Sequence, residues 1–110
     1  MRPVDRNEPI YVISVAAKLC ELHPQTLRMY ERIGLIRPAR VSRKNRMYSE
    51  ADIERLRQIQ RLTQDMGVNL AGVEVILDLL EKMQRLKDSM DEEVERMRRE
   101  IEERTRLLEK

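Results

Sequence analysis

The chain of 110 residues carries 22 Lys and Arg against 20 Asp and Glu, a formal charge of +2, with one cysteine and only three aromatic residues. That length holds one small domain plus one extended element and excludes a large enclosed active site. No apolar run approaches the ~18 residues of a membrane span, the first nine residues are charged where a secretion leader is apolar, and a lone thiol makes no internal disulfide, so a cytoplasmic protein is expected.

The near-neutral total hides an asymmetry. Residues 1–69 hold 13 basic and 8 acidic side chains, whereas residues 70–110 hold 9 and 12. Such a division points to two tasks in one chain, contact with a polyanion by the first part and contact between proteins by the second.

Met1 to Pro9 has two prolines and two arginines, Arg2 and Arg6, and reads as a flexible arm. Ile10 to Ile13 is β-branched and aromatic enough for one small strand that can pair with another from the basic loop. Ser14 is placed to cap a helix over Val15–Leu22, in which Ala16, Leu19 and Cys20 share the inner side and Lys18 and Glu21 point away. His23 and Pro24 break the chain, because proline disfavours helix in the residue before it and suits the first position of a new one. Helix 2 then runs from Pro24 to about Ile33. Leu27 and part of Tyr30 face inward, Gln25, Thr26, Arg28, Met29 and Arg32 lie outside, and Gly34 supplies the left-handed stop. Two short helices joined so tightly make a helix-turn-helix, whose second helix reaches base edges with its N-terminal part.

Leu35 to Tyr48 reads as a hairpin with a basic tip, a wing, because Pro38 blocks helix and Ser42 to Asn45 are turn-prone. From Arg28 to Arg46 there are seven cations, Arg28, Arg32, Arg37, Arg40, Arg43, Lys44 and Arg46, against one acid, Glu31. That density fits a phosphate backbone. Ser49 and Asp52 form a capping box for helix 3, with Ile53, Leu56, Ile59 and Leu62 inside and Gly67 at its close.

Asn69 can cap the last helical region, where a heptad holds its phase: Val73, Leu80, Val94, Ile101 and Leu108 alternate with Ile76, Met83, Met90 and Met97, interrupted by Lys87 and Arg104. Sustained heptads mark a coiled coil. One helix cannot bury that stripe, so dimerisation through Leu80, Met83, Met90, Val94, Met97, Ile101 and Leu108 is expected. Ser89 with Glu92 makes a second possible capping box, which leaves open one rod or two helices broken near Asp88.

The fold class expected is mainly α: a winged helix-turn-helix with a small β-hairpin wing, followed by a long dimerising coiled-coil helix. The domains are an arm over 1–9, a DNA-binding domain over 10–83 and a dimerisation helix over 84–110. Arg28 can hold a guanine edge bidentately or clamp a phosphate. Gln25 and Thr26 can read bases or seat the helix N-terminus on a phosphate. Arg40, Arg43, Lys44 and Arg46 suit phosphate contact against a bland reading as a solvated loop. Cys20, on an apolar helix side without a second thiol or a histidine at ligand spacing, reads as core, and His23 as a turn residue. A coiled-coil adaptor is the alternative without DNA. Nothing in the chain pairs acids, clusters metal ligands or sets a nucleophile beside a base, so no enzyme, metal or cofactor is expected.

The order of short strand, helix, HPQTLRMYERIGLIRP, basic wing ending Arg46-Met47-Tyr48-Ser49, SEADIERLRQI and terminal heptads resembles the MerR transcription regulators. YVISVAAKLCELHPQTLRMYERIGLI and IQRLTQDMGVNLAGVEVIL are most similar to the HspR heat-shock repressor branch. The resemblance implies a bacterial, nucleoid-associated homodimer joined by an antiparallel coiled coil, bound to an inverted-repeat operator, repressing chaperone genes with the DnaK chaperone as corepressor. The same family also contains activators that distort a promoter. It further implies that Ser14, Lys18 and Met29 face DNA and that Tyr30 and Tyr48 help to hold its backbone, where their bland reading is packing of helix 2 against the wing. Metal-sensing relatives carry cysteines near the far end of the dimer helix. This chain has none there and no ligand-binding domain after it, so no small-molecule or metal inducer is expected.

Overall fold

The computed structural model describes residues 5–41 and 45–109. Its elements run β1 (Tyr11–Val12), α1 (Ile13–Cys20), α2 (Pro24–Arg32), β2 (Ala39–Arg40), β3 (Arg46–Tyr48), α3 (Glu50–Gln60), a π turn (Arg61–Asp65) and α4 (Leu70–Leu108). The three strands form one antiparallel sheet in the order β1-β3-β2, with Tyr11 opposite Tyr48, Val12 and Ala39 opposite Met47, and Arg40 opposite Arg46. The chain divides into two compact units, Met1–Val73 and Glu74–Lys110.

Local chemistry explains most boundaries of the first unit. Pro24 opens α2, where its missing N–H is no loss, and His23 caps it by accepting the Gln25 N–H at Nδ1, 3.1 Å away. Gly34, at φ 84, takes the left-handed stop, and the Leu35 N–H closes on the Tyr30 carbonyl. The capping box forms as expected: Ser49 Oγ accepts from the Asp52 N–H at 3.1 Å, and Asp52 Oδ2 accepts from the Ser49 N–H at 2.9 Å. Asn69 caps α4 by accepting the Gly72 N–H at 2.8 Å.

Three expectations, all on α1, are corrected. Ser14 does not cap α1, because β1 runs directly into the helix: Val12 stands at the cap without a side-chain bond, and Ser14 is an exposed residue of the first turn. The inner side of α1 is Ala16, Ala17 and Cys20, while Leu19 is exposed. The helix ends at Cys20, short of Leu22, because Glu21 adopts a left-handed conformation at φ 54. Helix 3 continues into the π turn. There Thr63 donates its hydroxyl to the Ile59 carbonyl at 2.9 Å, a back-bond that competes with the regular ladder. Gly67, at φ 68, closes the segment.

The core of the first unit gathers Ala16, Leu27, Leu35, Ile36, Tyr48, Ile53, Leu56, Ile59 and Val73. Arg55 donates to the Leu35 carbonyl at 2.6 Å and so holds the segment after α2 on α3. The segment before β1 is held as well. Arg6 pairs with Glu54 and its carbonyl accepts the Ala51 N–H, while the Ile10 N–H donates to the Tyr48 carbonyl.

The second unit is the helix alone. α4 is a single helix of 39 residues with Ser89 inside it, so the break near Asp88 does not occur. At 1.5 Å per residue it is about 58 Å long. From Asp78 to Glu109 every residue is exposed in the single chain. No helix among the described residues is long and apolar enough to cross a membrane.

Candidate nucleic-acid interface

Helix α2 buries Leu27 and Tyr30 and thereby presents the opposite side outward: Gln25, Arg28 and Arg32 are exposed, Thr26 and Met29 half-buried. The sheet sets β2 and β3 beside it, and the two elements together form an open groove of roughly 470 Å³ lined by Gln25, Arg28, Glu31, Arg32, Arg40 and Arg46. Four planar guanidinium groups against one carboxylate make a surface suited to anions with several accepting oxygens.

Five of the thirteen residues expected to meet DNA therefore line one groove, Gln25, Arg28, Arg32, Arg40 and Arg46. Ser14 and Lys18 are exposed on α1. Arg43 and Lys44 lie outside the described residues. Arg28, Arg32 and Arg40 form no ion pair among the described residues, whereas Arg46 donates from Nε to Glu31 at 2.7 Å. That pair is a feature the sequence did not announce: the two residues are far apart in the chain, and only the fold of β3 beside α2 joins them.

The two tyrosines take the packing reading. Tyr30 is buried with its hydroxyl in a side-chain hydrogen bond with Thr63, and burial raises its pKa. Tyr48 is fully buried and its hydroxyl has no hydrogen-bond partner among the described residues. Burial, reinforced by the nearby Glu31 charge, pushes that phenol up to about 12. Neither tyrosine is among the residues that line the groove. Cys20 is buried, and burial raises its thiol pKa, which suits an inert core residue.

On α4 the seven expected seam residues, Leu80, Met83, Met90, Val94, Met97, Ile101 and Leu108, are 44% to 85% exposed in the single chain. Ion pairs such as Lys82–Asp78, at 2.9 Å, and Arg96–Glu93 occupy other sides of the helix.

Comparison with known proteins agrees with this geometry. The family profile described as "MerR HTH family regulatory protein" matches residues 11–80. A protein of Streptomyces coelicolor named as a heat shock protein, HspR, is 58% identical over 73 residues, covering 66% of this chain and 48% of its own length. The HTH-type transcriptional regulator MlrA of Escherichia coli is 39% identical over 69 residues, covering 62% of this chain and 28% of its own length. The chain thus spans about half the length of the first of these relatives and under a third of the second. Among solved structures, the transcription regulator PbrR691 of Ralstonia metallidurans, crystallised with lead(II), superposes with a TM-score of 0.61 at 26% identity, over 90% of this chain and 82% of that one.

Proposed function

The chain belongs to the MerR family of HTH regulatory proteins, a family of transcription regulators and not of enzymes, and on that premise we propose that it is a sequence-specific DNA-binding repressor of HspR type, acting as a homodimer on an inverted-repeat operator before heat-shock genes. The observation that carries the reading is the groove in which four arginines from α2 and the wing converge. In this reading the exposed N-terminal part of α2, with Gln25, Thr26 and Arg28, reads or seats on the major groove, and Met29 packs beside it. Arg32, Arg40, Arg46 and the basic-loop residues Arg43 and Lys44 hold phosphates, as do Ser14 in the first turn of α1 and Lys18 in its last. Residues 10–83 serve as the DNA-binding part and 84–110 as the dimerising part, and the stripe that begins at Leu80 and Met83 and runs on to Leu108 meets its copy in an antiparallel coiled coil. Two winged units then address two half-sites, and bound dimers exclude polymerase or distort the promoter between them.

The support for the heat-shock assignment is the 58% identity to the Streptomyces protein. Purified protein incubated with sheared DNA of its source genome at physiological salt, followed by recovery and sequencing of the bound fragments, tests it. An inverted repeat before chaperone genes is the expected result. A repeat before other genes removes the heat-shock role and keeps the DNA-binding mechanism, and no enrichment, with or without added DnaK as corepressor, favours the coiled-coil adaptor.

A further inference from the structure

Glu31 is the one carboxylate among the residues that line the groove. An acid in a surface built for phosphates repels the ligand unless its charge is otherwise engaged. Here it accepts the Arg46 Nε–H, and it is the more buried of the two partners, 19% exposed against 38%. The pair bridges α2 to β3 at the root of the wing, where Arg46 stands directly across from Arg40 on β2. Opposed like charges weaken a strand pair, so Glu31 offsets that repulsion while it keeps Arg46 turned inward.

Two residues along β3, on the same side of the strand, lies Tyr48. Its hydroxyl is sealed from solvent and lacks a partner among the described residues. Glu31 and Arg46 are both close enough for their charges to act on it. A buried hydroxyl without an acceptor is costly. The one carboxylate of the groove is committed to an arginine that a phosphate can also satisfy.

Resting on the DNA-binding reading above, we propose that Glu31 is a positioning residue that exchanges partners when DNA binds: in the free protein it holds Arg46, and when Arg46 turns to a phosphate the carboxylate accepts the Tyr48 O–H. No proton is transferred. One charge-assisted bond is given up and two are formed, Arg46 to phosphate and Tyr48 to Glu31. Arg46 is released only where a phosphate sits within its reach, so poorly seated duplex gains less than the operator does.

A double-mutant cycle tests the exchange. Wild type, Glu31→Gln, Glu31→Leu, Tyr48→Phe and the Glu31→Leu/Tyr48→Phe double variant are titrated with a recovered operator fragment and with a random-sequence duplex of equal length at several salt concentrations, and each free protein is melted. Glu31→Gln is expected to bind the random duplex roughly three- to tenfold more tightly and to narrow the preference for operator. Tyr48→Phe is expected to weaken operator binding by a similar roughly three- to tenfold without lowering Tm, and to change it less than about twofold in the Glu31→Leu background, which leaves no acceptor. Additive effects overturn the exchange, and so does a Glu31→Gln variant that loses affinity for both duplexes in step with Tm, which marks a structural tether. Wild type that binds neither duplex overturns the DNA reading itself, whereas salt-sensitive wild-type binding with an additive cycle removes the exchange alone.

Discussion

The two units of this chain bury their apolar side chains by opposite means. Met1–Val73 closes a core of its own around Leu27, Tyr48, Leu56 and Ile59, whereas Glu74–Lys110 leaves Met83, Met90, Val94, Met97 and Ile101 more than half exposed. A helix with a continuous apolar stripe and charged flanks is stable in water chiefly when the stripe packs on something. The first unit thus has a core of its own on which to present a surface, and the second presents an open apolar stripe. The charge follows the same division, with the arginines clustered where the core is and the acids where it is not.

Substitutions can sharpen or break this contrast. The largest effect is expected from Leu56→Ala, which opens a cavity in the closed core and costs about 2–5 kcal/mol, measurable by chemical denaturation; a loss below about 1 kcal/mol would remove the claim that the first unit rests on that core. Next, Ile101→Asp sets a charge in the open stripe. Sedimentation should show a dimer converted to monomer, with operator affinity reduced about 100-fold, and a variant that stays dimeric would place the seam elsewhere. Tyr48 supplies the third. Its folded pKa is raised from 10.0 to about 12, so its contribution is fully present below pH 10 and is lost as pH rises towards 12, because the unfolded chain releases the proton first. Roughly 2 kcal/mol should disappear over that window, and Tyr48→Phe should flatten the decline; an unchanged slope would mean that the phenol ionises freely in the folded protein. The smallest effect is expected from Ser49→Ala, about 1 kcal/mol from one lost cap, read as a modest drop in Tm.

Elements whose cause is local were legible in the sequence. The Ser49–Asp52 box, the left-handed Gly34 and Gly67, Pro24 at the start of α2 and Asn69 at the start of α4 each follow from the chemistry of one or two neighbouring residues. Features set by tertiary packing were not. Ala16 and Cys20 share a side of α1, and an apolar stripe through them can widen towards Ala17 or Leu19 with equal periodicity; the small pair faces inward, and Leu19 is left outside. The π turn depends on where the Thr63 hydroxyl finds a carbonyl. In the groove, the cations were evident from composition, but the Glu31–Arg46 pair and the sealed Tyr48 hydroxyl arise from a strand meeting a helix.

The affinity for duplex DNA as a function of salt tests the central claim most directly. If at least three of the six cations assigned to phosphates make contact in each subunit, a dimer neutralises six or more, and log affinity against log salt should fall with a slope of about −5 or steeper, becoming shallower by about 2 when Arg40→Ala removes one contact from each subunit. A slope near zero, unchanged by Arg40→Ala, would contradict the account.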